Sequence, residues 1–290
     1  MISIIICSRT PEISDSLKAN ISTTIGTTYE IITIDNSGNK YSISEAYNIG
    51  VEQSKYPLLC FMHDDIEYHT LNWGHNVTTH FADEQTGAIG IAGTPYAAYM
   101  PGSWWGTGLV NQFILPSDSD QPGVIQVSEL VNNKNEVLLL DGVWMCIRRS
   151  LFEKISFDTV NYAGFHFYDV DTCMQINQLN YKLYSVFDIL LRHFTIGRMD
   201  KSWCENALVF NNKWKNVLPA SVIQLNRNEQ RNAELKTLKE FAYNLIYNNY
   251  PHRAVYRLAI SKLLGFKKIF HYKSPLYLAK YLYKWLVKYP

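Results

Sequence analysis

Two adjacent carboxylates end an apolar segment of this sequence. Asp64 and Asp65 follow His63 and the run Pro-Leu-Leu-Cys-Phe-Met at residues 57–62. An uninterrupted apolar run of this length predicts a central parallel strand that is buried on both faces. Carboxylates at the end of such a strand are costly unless something positive binds them. Ligands of open α/β sheets bind beyond the carboxyl ends of the strands, so a divalent cation with a phosphorylated ligand would satisfy both features.

The two carboxylates cannot both bind one ion from a regular strand, because successive side chains face opposite sides. We predict that Asp65 is a metal ligand and that Asp64 accepts from the backbone or from a ribose. His193, at the end of a later predicted strand, would bring a second ligand to the same edge. Mn²⁺ accepts mixed imidazole and carboxylate ligands better than Mg²⁺ does. The alternatives are a turn with solvated acids and a structural histidine.

The ends of the first two predicted strands carry further polar residues. Asp35 and Asn36 follow the second strand, where a carboxylate can accept from ribose hydroxyls or a base N–H. The alternative is local turn chemistry, because Asp-Asn-Ser-Gly is a good turn by itself. Ser8 and Arg9 end the first strand and could line the same crevice, and Arg9 could pair with a diphosphate.

Asp169 and Asp171 open a predicted helix. Two positions on a helix differ by roughly 200° of rotation, so these carboxylates cannot form one acid/base pair. One of them could act as general base on a hydroxyl nucleophile, while capping of the helix is the alternative. The sequence lacks the phosphate loop GxxxxGK[ST], the dinucleotide motif GxGxxG and the nucleophile elbow GxSxG.

The elements that position these residues alternate between strand and helix. Strands are predicted at 2–7, 30–34 and 57–62, and helices at 11–25 and 42–54. Thr10 is the expected N-cap of the first helix, with Pro11 at its first position. This βαβαβ order predicts a parallel sheet with right-handed crossovers.

Composition narrows the class of protein. The five cysteines are scattered without a CxxC pair, which indicates reduced core thiols of a cytoplasmic protein. The chain opens directly into a predicted strand, so no signal peptide is expected. The sequence contains no run of 18 apolar residues, so no membrane-spanning helix is predicted. The 20 Tyr and 7 Trp could line sugar or nucleobase sites or simply fill the core.

The charges divide the chain. Residues 241–290 hold nine of the 27 Lys and Arg and none of the 26 Asp and Glu. Lys280, Lys284 and Lys288 recur on one face of a predicted helix, which favours binding to an anionic membrane surface, with packing on protein as the alternative. Nucleic acid is not expected, since the rest of the chain is acidic. We predict a catalytic domain at 1–222 and a helical, basic, aromatic-rich region at 223–290. A peripheral position on the inner face of the cell membrane is compatible with this, and a homodimer stays open.

Short motifs in a fixed order resemble the family 2-like glycosyltransferases of the GT-A fold, in their small bacterial glycosyltransferase-like branch. The resemblance covers roughly residues 1–215. The matching segments are 4–9 (IIICSR), 34–37 (IDNS), 46–50 (AYNIG), 61–66 (FMHDDI), Asp141-Gly142, 157–158 (FD), 165–171 (FHFYDVD) and His193. It implies a GT-A-like α/β fold, with a mostly parallel central sheet, flanking helices and a Rossmann-like nucleotide-binding half.

The resemblance also implies roles. Asp35 would bind the nucleoside of a nucleotide-sugar donor, with Asn48 among the donor-binding residues. Residues 63–65 match the DXD position, with Asp65 and His193 holding Mn²⁺ or Mg²⁺ and with a histidine in place of the first acid. Asp141 and Gly142 would lie near the donor sugar. Tyr168-Asp169 stands where inverting members often carry Glu-Asp, which implies that Asp169 is the general base.

The implied activity is inverting transfer of a hexose from a nucleotide-sugar, with UDP favoured, to a hydroxyl of a bacterial surface glycan or lipid-linked acceptor. Trp104, Trp105 and Trp144 could stack on sugar rings or pack in the core. One alternative is a carbohydrate-binding or degenerate transferase-like protein. The other is a nucleotidyltransferase, although segment 7–11 supplies no Gly-rich phosphate loop.

Overall fold

The computed structural model describes residues 1–126, 128–195 and 197–250, together with Leu276 and Ala279. Contacts divide the chain into two compact units. The first comprises Met1–Pro95 and Val110–Gly197, and the second comprises Tyr96–Leu109 and the described residues from Arg198 onward. Among these residues, none of the helices combines the length and apolar character that crossing a bilayer requires.

The first unit begins with the predicted βαβαβ order. Its elements are β1 (Ile2–Ser8), α1 (Asp15–Thr24), β2 (Tyr29–Asp35), α2 (Ile43–Gln53) and β3 (Leu58–Met62). Serine caps start both helices: Ser14 Oγ accepts from Leu17 N–H, and Ser42 forms a reciprocal capping box with Glu45. The predicted cap Thr10 is wrong, because its hydroxyl donates to the carbonyl of Glu12 and the helix begins only at Asp15.

The remaining elements of the chain complete both units. They are β4 (Ile66–Tyr68), α3 (Trp73–His80), β5 (Thr86–Gly90), β6 (Ala92–Thr94), β7 (Tyr96–Ala97), β8 (Asn111–Ile114), β9 (Gly123–Ile125), β10 (Lys134–Val137), β11 (Leu139–Leu140), β12 (Trp144–Arg148), a 3-10 helix (Arg149–Glu153), α4 (Tyr168–Gln178), β13 (Lys182–Val186), β14 (Leu191–His193), α5 (Lys201–Lys213), β15 (Ala220–Ser221) and α6 (Arg227–Tyr247).

The central sheet has seven strands in the order β10-β13-β5-β12-β3-β1-β2. β1 pairs in parallel with both β2 and β3, and β5 pairs in parallel with β13. β12 lies antiparallel between β3 and β5, so its amino end shares an edge of the sheet with the carboxyl end of β3. All five side chains of β3 are buried, as the apolar run predicted. Five of its seven strands run in one direction and β10 and β12 run against them, so the sheet is mostly parallel, as predicted.

The second unit is built from two distant segments. β7 pairs antiparallel with β15. β7 and the loop that follows it are hydrogen-bonded to α6. The carboxylate of Glu234 accepts from the Tyr96 hydroxyl at 2.7 Å and from the amides of Tyr99 and Met100. The second segment of this unit begins at Arg198. The predicted boundary lies between residues 222 and 223, and it stays a prediction.

Candidate functional site

The carboxylates that follow β3 have different partners. Asp64 accepts from the backbone amide of Arg9 at 3.1 Å and pairs with its guanidinium at 2.7 Å. Asp65 Oδ2 accepts from the Thr195 hydroxyl at 2.6 Å, and Asp65 Oδ1 lies 3.4 Å from His193 Nε2. The two side chains therefore diverge, as alternation along a strand requires.

A short antiparallel pair brings His193 to this place. β14 pairs with β4 so that His193 lies opposite Ile66, the residue after Asp65. The backbone amide of Phe194 donates to the Asp65 carbonyl at 3.1 Å and extends the pairing. The predicted partners Asp65 and His193 are thus neighbours in space despite the 128 positions that separate them.

His63 joins them in a cluster that the sequence motifs did not assign. Its Nδ1 lies 3.4 Å from His193 Nε2 and 3.8 Å from Asp65 Oδ1. Within the described residues, His63, Asp65 and His193 form the one cluster of potential ligand side chains that could hold a metal ion. The spacing His63-x-Asp65 was the available signal, because residues two apart on a strand share a face.

The electrostatics of the cluster favour a cation. Burial would raise the pKa of Asp65, but hydrogen bonds from His193 and Thr195 outweigh it and hold that pKa well below its usual range. Burial lowers the pKa of His63, and the neighbouring His193 lowers it further. At neutral pH the cluster therefore presents a carboxylate and a neutral imidazole, which are the ligand forms that metals bind.

The donor atoms also fit an ion by distance. The point equidistant from His63 Nδ1, Asp65 Oδ1 and His193 Nε2 lies about 2.0 Å from each, within the range of metal–nitrogen and metal–oxygen bonds at zinc sites. The residues present thus suit a small divalent cation.

Asp169 lies near the start of α4, which follows Phe167 in the left-handed region (φ 70°). Its Oδ2 accepts from the Gly142 amide at 2.8 Å. Burial, together with the negative charge of Asp141, raises the pKa of Asp169 to about 7. As a whole, the residue is half-buried. The second acid of the motif, Asp171, is completely buried and accepts from Tyr162 and Gln175, which gives it a structural role.

Tyr168 connects Asp169 to the histidine cluster. Its buried hydroxyl donates to the Gly142 carbonyl at 3.1 Å and lies 3.5 Å from His63 Nε2. Gly142 is placed there because β12 runs antiparallel beside β3, and a side chain at Gly142 would collide with the Tyr168 phenol. Asp141, which accepts from the Val143 amide at 2.8 Å, belongs to the same turn.

The predicted nucleotide-binding residues have local partners. Ser8 is buried with its hydroxyl 3.2 Å from that of Thr10. Asp35 is exposed and accepts from the Ser37 amide at 2.9 Å, a contact that lowers its pKa. Asn36 bonds the main chain of Tyr41 through both its carbonyl and its amide group. These are the turn contacts of the alternative interpretation, and donor binding by these residues stays a prediction.

Asn48 and Trp144 have structural surroundings. The Asn48 side chain exchanges hydrogen bonds of 2.8 and 3.0 Å with the main chain of Phe157. Trp144 is completely buried, and its indole N–H donates to the Tyr68 hydroxyl at 2.8 Å. A ring enclosed in this way offers no face to a sugar, so core packing describes Trp144.

Trp104 and Trp105 belong to the second unit. Their rings meet edge to face at 5.3 Å, with Trp104 buried and Trp105 39% exposed. Ser103, the residue before them, donates to the carboxylate of Glu240 in α6 through both its amide and its hydroxyl. Stacking of these tryptophans on a sugar stays a prediction.

The fold defines an α/β protein whose central sheet carries, near the carboxyl end of β3, a cluster that could hold a metal ion and, close to it, the carboxylate of Asp169. Residues 3–217 match the model of the glycosyltransferase-like family, and because this is most of the chain, the protein belongs to that family. No curated protein matches the chain significantly. The resemblance drawn from the sequence and the GT-A-like α/β fold class are confirmed.

Several solved structures are similar at low identity. Crystal structures of A197 from STIV and of GalNAc-T7 with UDP, GalNAc and Mn²⁺ align with TM-scores of 0.40 and 0.49 and identities of 16% and 13%. The first alignment covers 67% of this chain and 86% of A197, and the second covers 99% of this chain and 56% of GalNAc-T7. The mannosyltransferase PcManGT from Pyrobaculum calidifontis, with GDP-Man and Mn²⁺, aligns over 99% of this chain and 86% of its own, at 11% identity and a TM-score of 0.47.

Proposed function

We propose that this protein is an inverting, metal-dependent hexosyltransferase. It takes its sugar from a nucleotide-sugar donor, with a UDP-linked donor favoured, and passes it to a hydroxyl of a surface glycan or lipid-linked acceptor. The observation that carries the proposal is the connection of Asp169, through Gly142 and Tyr168, to the cluster of His63, Asp65 and His193. This connection supports a proton acceptor close to a cation site on one edge of the sheet.

Asp169 is the carboxylate of this site that suits a general base. Its pKa of about 7 lets it be deprotonated near neutral pH and still bind a proton with useful strength. Asp65 is a poor base by the same criterion, because its pKa is held far below neutrality. Asp169 would remove the proton of the acceptor hydroxyl as that oxygen attacks the anomeric carbon from the face opposite the diphosphate.

The leaving diphosphate needs positive charge. Asp65 and His193 would hold Mn²⁺ or Mg²⁺, which would neutralise charge on the departing phosphate. Arg9 adds a protein cation, since its guanidinium lies 2.7 Å from Asp64 and 3.8 Å from Asp65 and is 70% exposed. An exposed guanidinium over two carboxylates can swing to a diphosphate and bind it in bidentate fashion.

A screen of nucleotide-sugars tests the proposal. Full-length protein is incubated with UDP-, GDP- and dTDP-sugars, with Mn²⁺, with Mg²⁺ and without metal, and both melting temperature and donor hydrolysis are followed. We expect one donor class to raise the melting temperature in the presence of metal and to be hydrolysed slowly. Asp169→Asn should keep the donor-induced shift and lose turnover.

Two outcomes would count against this function. If no donor shifts the melting temperature under any metal condition, a nucleotide-sugar site is absent. If Asp169→Asn turns over donor as fast as the unchanged protein, Asp169 is not the base and a binding or degenerate role gains support. The configuration of the product anomeric carbon, read by NMR, decides between inversion and retention.

A further inference from the structure

The histidine next to the carboxylate pair changes the chemistry of the cation site. We propose that His63 Nδ1 is a third protein ligand and that the site holds a first-row transition-metal ion in preference to Mg²⁺, before any donor binds. The catalytic meaning of this inference rests on the proposed function. Metal uptake itself is independent of transfer and can be measured without a donor.

The first support is the shape of the cluster. His63 Nδ1, Asp65 Oδ1 and His193 Nε2 form a triangle with sides of 3.4, 3.4 and 3.8 Å. Ligand atoms bound to one ion at about 2.1 Å in tetrahedral geometry are separated by about 3.4 Å. The three atoms thus already stand at the spacing of a coordination face.

The second support is the tautomer of His63. The Tyr168 hydroxyl donates to the Gly142 carbonyl at 3.1 Å and lies 3.5 Å from His63 Nε2, so its oxygen can accept from the tautomer of His63 that carries its proton on Nε2. A proton on Nε2 leaves the lone pair of Nδ1 directed at Asp65 and His193. Hydrogen bonding of the outer ring nitrogen is the usual way in which a protein orients a metal-binding histidine. Tyr168 is therefore a positioning residue for His63.

The third support is the fixed position of Asp65. Its Oδ2 accepts from Thr195 at 2.6 Å, which leaves Oδ1 toward the two imidazoles. The main chain around it is paired with β14 through the Phe194 amide. Because Asp65 and His63 have contacts outside the cluster, with Thr195 and Tyr168 respectively, little ordering of these two side chains is needed when an ion enters.

The chemical types of the three ligands determine which ion the site prefers. Mg²⁺ prefers oxygen ligands, keeps several waters and is usually held by one or two carboxylates together with substrate phosphates. Two imidazoles and one carboxylate suit Mn²⁺, Fe²⁺, Co²⁺ and Zn²⁺ instead. With three protein ligands, such an ion does not depend on a diphosphate to stay bound.

Cobalt provides the test, because its visible absorption reports directly on its ligands. Metal-free full-length protein is titrated with Co²⁺ at neutral pH without nucleotide, and binding is followed by absorption and calorimetry. We expect one Co²⁺ per chain, and displacement only by a large excess of Mg²⁺. His63→Ala should weaken binding on the order of tenfold or more, at least as much as the loss of an outer-shell partner typically does. His75→Ala removes an exposed histidine of α3 and serves as the matched control, with unchanged binding.

His63→Asp supplies a second, independent variant. It replaces an imidazole by a carboxylate, so Co²⁺ should bind more weakly and Mg²⁺ should compete at lower concentration than in the unchanged protein. Circular dichroism establishes that each variant is folded before it is titrated.

Three results would overturn the inference. They are an unchanged Co²⁺ spectrum and affinity in His63→Ala, displacement of Co²⁺ by an equal concentration of Mg²⁺, and no Co²⁺ uptake until a nucleotide is added. None of them touches the proposed function, which stands or falls on donor turnover. Conversely, tight Co²⁺ binding in a protein that turns over no donor would sustain the metal site and refute the transferase.

Discussion

Asp169 owes its chemistry to its neighbours. Burial and the negative charge of Asp141 raise its pKa to about 7, whereas an exposed aspartate titrates near 3.8. A base must be deprotonated to act, so turnover should fall about tenfold for each pH unit below 7 and level off above it. A pH–rate profile of donor turnover between pH 5 and 9 measures this acidic limb.

Asp141→Asn tests the cause of that limb. Removing the neighbouring negative charge should lower the pKa of Asp169. The acidic limb of the pH–rate profile should therefore move to lower pH, and the plateau should begin at a lower pH. Asp141→Glu keeps the charge and should leave the limb near its original position. A limb that stays in place in Asp141→Asn would assign the pH dependence to another group.

At this scale the sequence predicted residue types better than contacts. Asp65 and His193 are neighbours, as predicted, but not as strand ends of one sheet. His193 lies in β14, which pairs with β4 outside the central sheet. The part played by His63 was not predicted, because its Nδ1 contacts depend on which way the ring is turned by Tyr168. The binding partners of Asn36 and Asn48 were equally hidden, because they are backbone groups whose positions depend on loop paths.

At the scale of elements, the antiparallel strand β12 is what assembles the site. The first five elements followed from hydrophobic periodicity and caps. The antiparallel insertion of β12 between β3 and β5 could not be predicted in this way. An apolar strand that is buried on both faces has the same sequence pattern whether it runs parallel or antiparallel to its neighbours. Yet this insertion is what brings Asp141 and Gly142 to the carboxyl edge of β3, where they meet α4.

Gly142→Ala tests that junction. The added methyl group would collide with the Tyr168 phenol and press on the Asp169 side chain, and Tyr168 is buried and cannot move aside. We expect a loss of about 1–3 kcal/mol in the free energy of unfolding, together with turnover reduced at least tenfold. Chemical denaturation and donor turnover measure the two effects.

Gly164→Ala is the matched control for this substitution. It lies in the loop before α4, and a methyl group added there meets nothing within 4 Å. It should change neither stability nor turnover appreciably. Normal turnover in folded Gly142→Ala would show that Tyr168 and Asp169 need not be held by this turn.

Asn48→Ala separates a nucleotide contact from a structural one. The side chain ties α2 to the main chain of Phe157 by two hydrogen bonds, and its loss leaves those backbone groups unpaired. We expect the free energy of unfolding to fall by about 1–3 kcal/mol with donor affinity unchanged. Donor affinity is measured by calorimetry well below the melting temperature. Weaker donor binding at unchanged stability would restore the nucleotide role.

At the scale of the whole molecule, the second unit is the part whose composition the sequence did not predict. It combines Tyr96–Leu109 with residues that follow Gly197, joined by strands of two residues each. Pairs that short have no periodicity to detect, and the buried Glu234 that accepts from three groups of the first segment reads in sequence as an ordinary helix-surface acid. The composition of this unit could therefore not be read from the sequence, and the boundary between residues 222 and 223 stays a prediction.

The basic tail extends beyond the described structure, and α6 determines how it should be removed. All nine Lys and Arg after residue 240 lie beyond residue 250 and outside the described residues. They include Lys280, Lys284 and Lys288 of the predicted membrane face. α6 runs to Tyr247 with Phe241, Ala242 and Leu245 buried. A cut at 240 would remove these buried side chains and the last turns of α6, so a chain of residues 1–250 is the proper comparison.

We propose that the segment 251–290 binds anionic membranes. Each cation near such a surface contributes about 1 kcal/mol, so the full chain should float with vesicles that contain phosphatidylserine, and residues 1–250 should stay behind. Binding should weaken as salt rises, because the interaction is electrostatic.

Neutral phosphatidylcholine vesicles and a full-length Lys280→Ser, Lys284→Ser, Lys288→Ser variant serve as controls, and both should reduce flotation. Donor-induced stabilisation of the shortened chain shows that its site is intact. Equal flotation of the two chains would leave the charge asymmetry as a feature of protein packing, and the acceptor would then not need to be sought at a membrane.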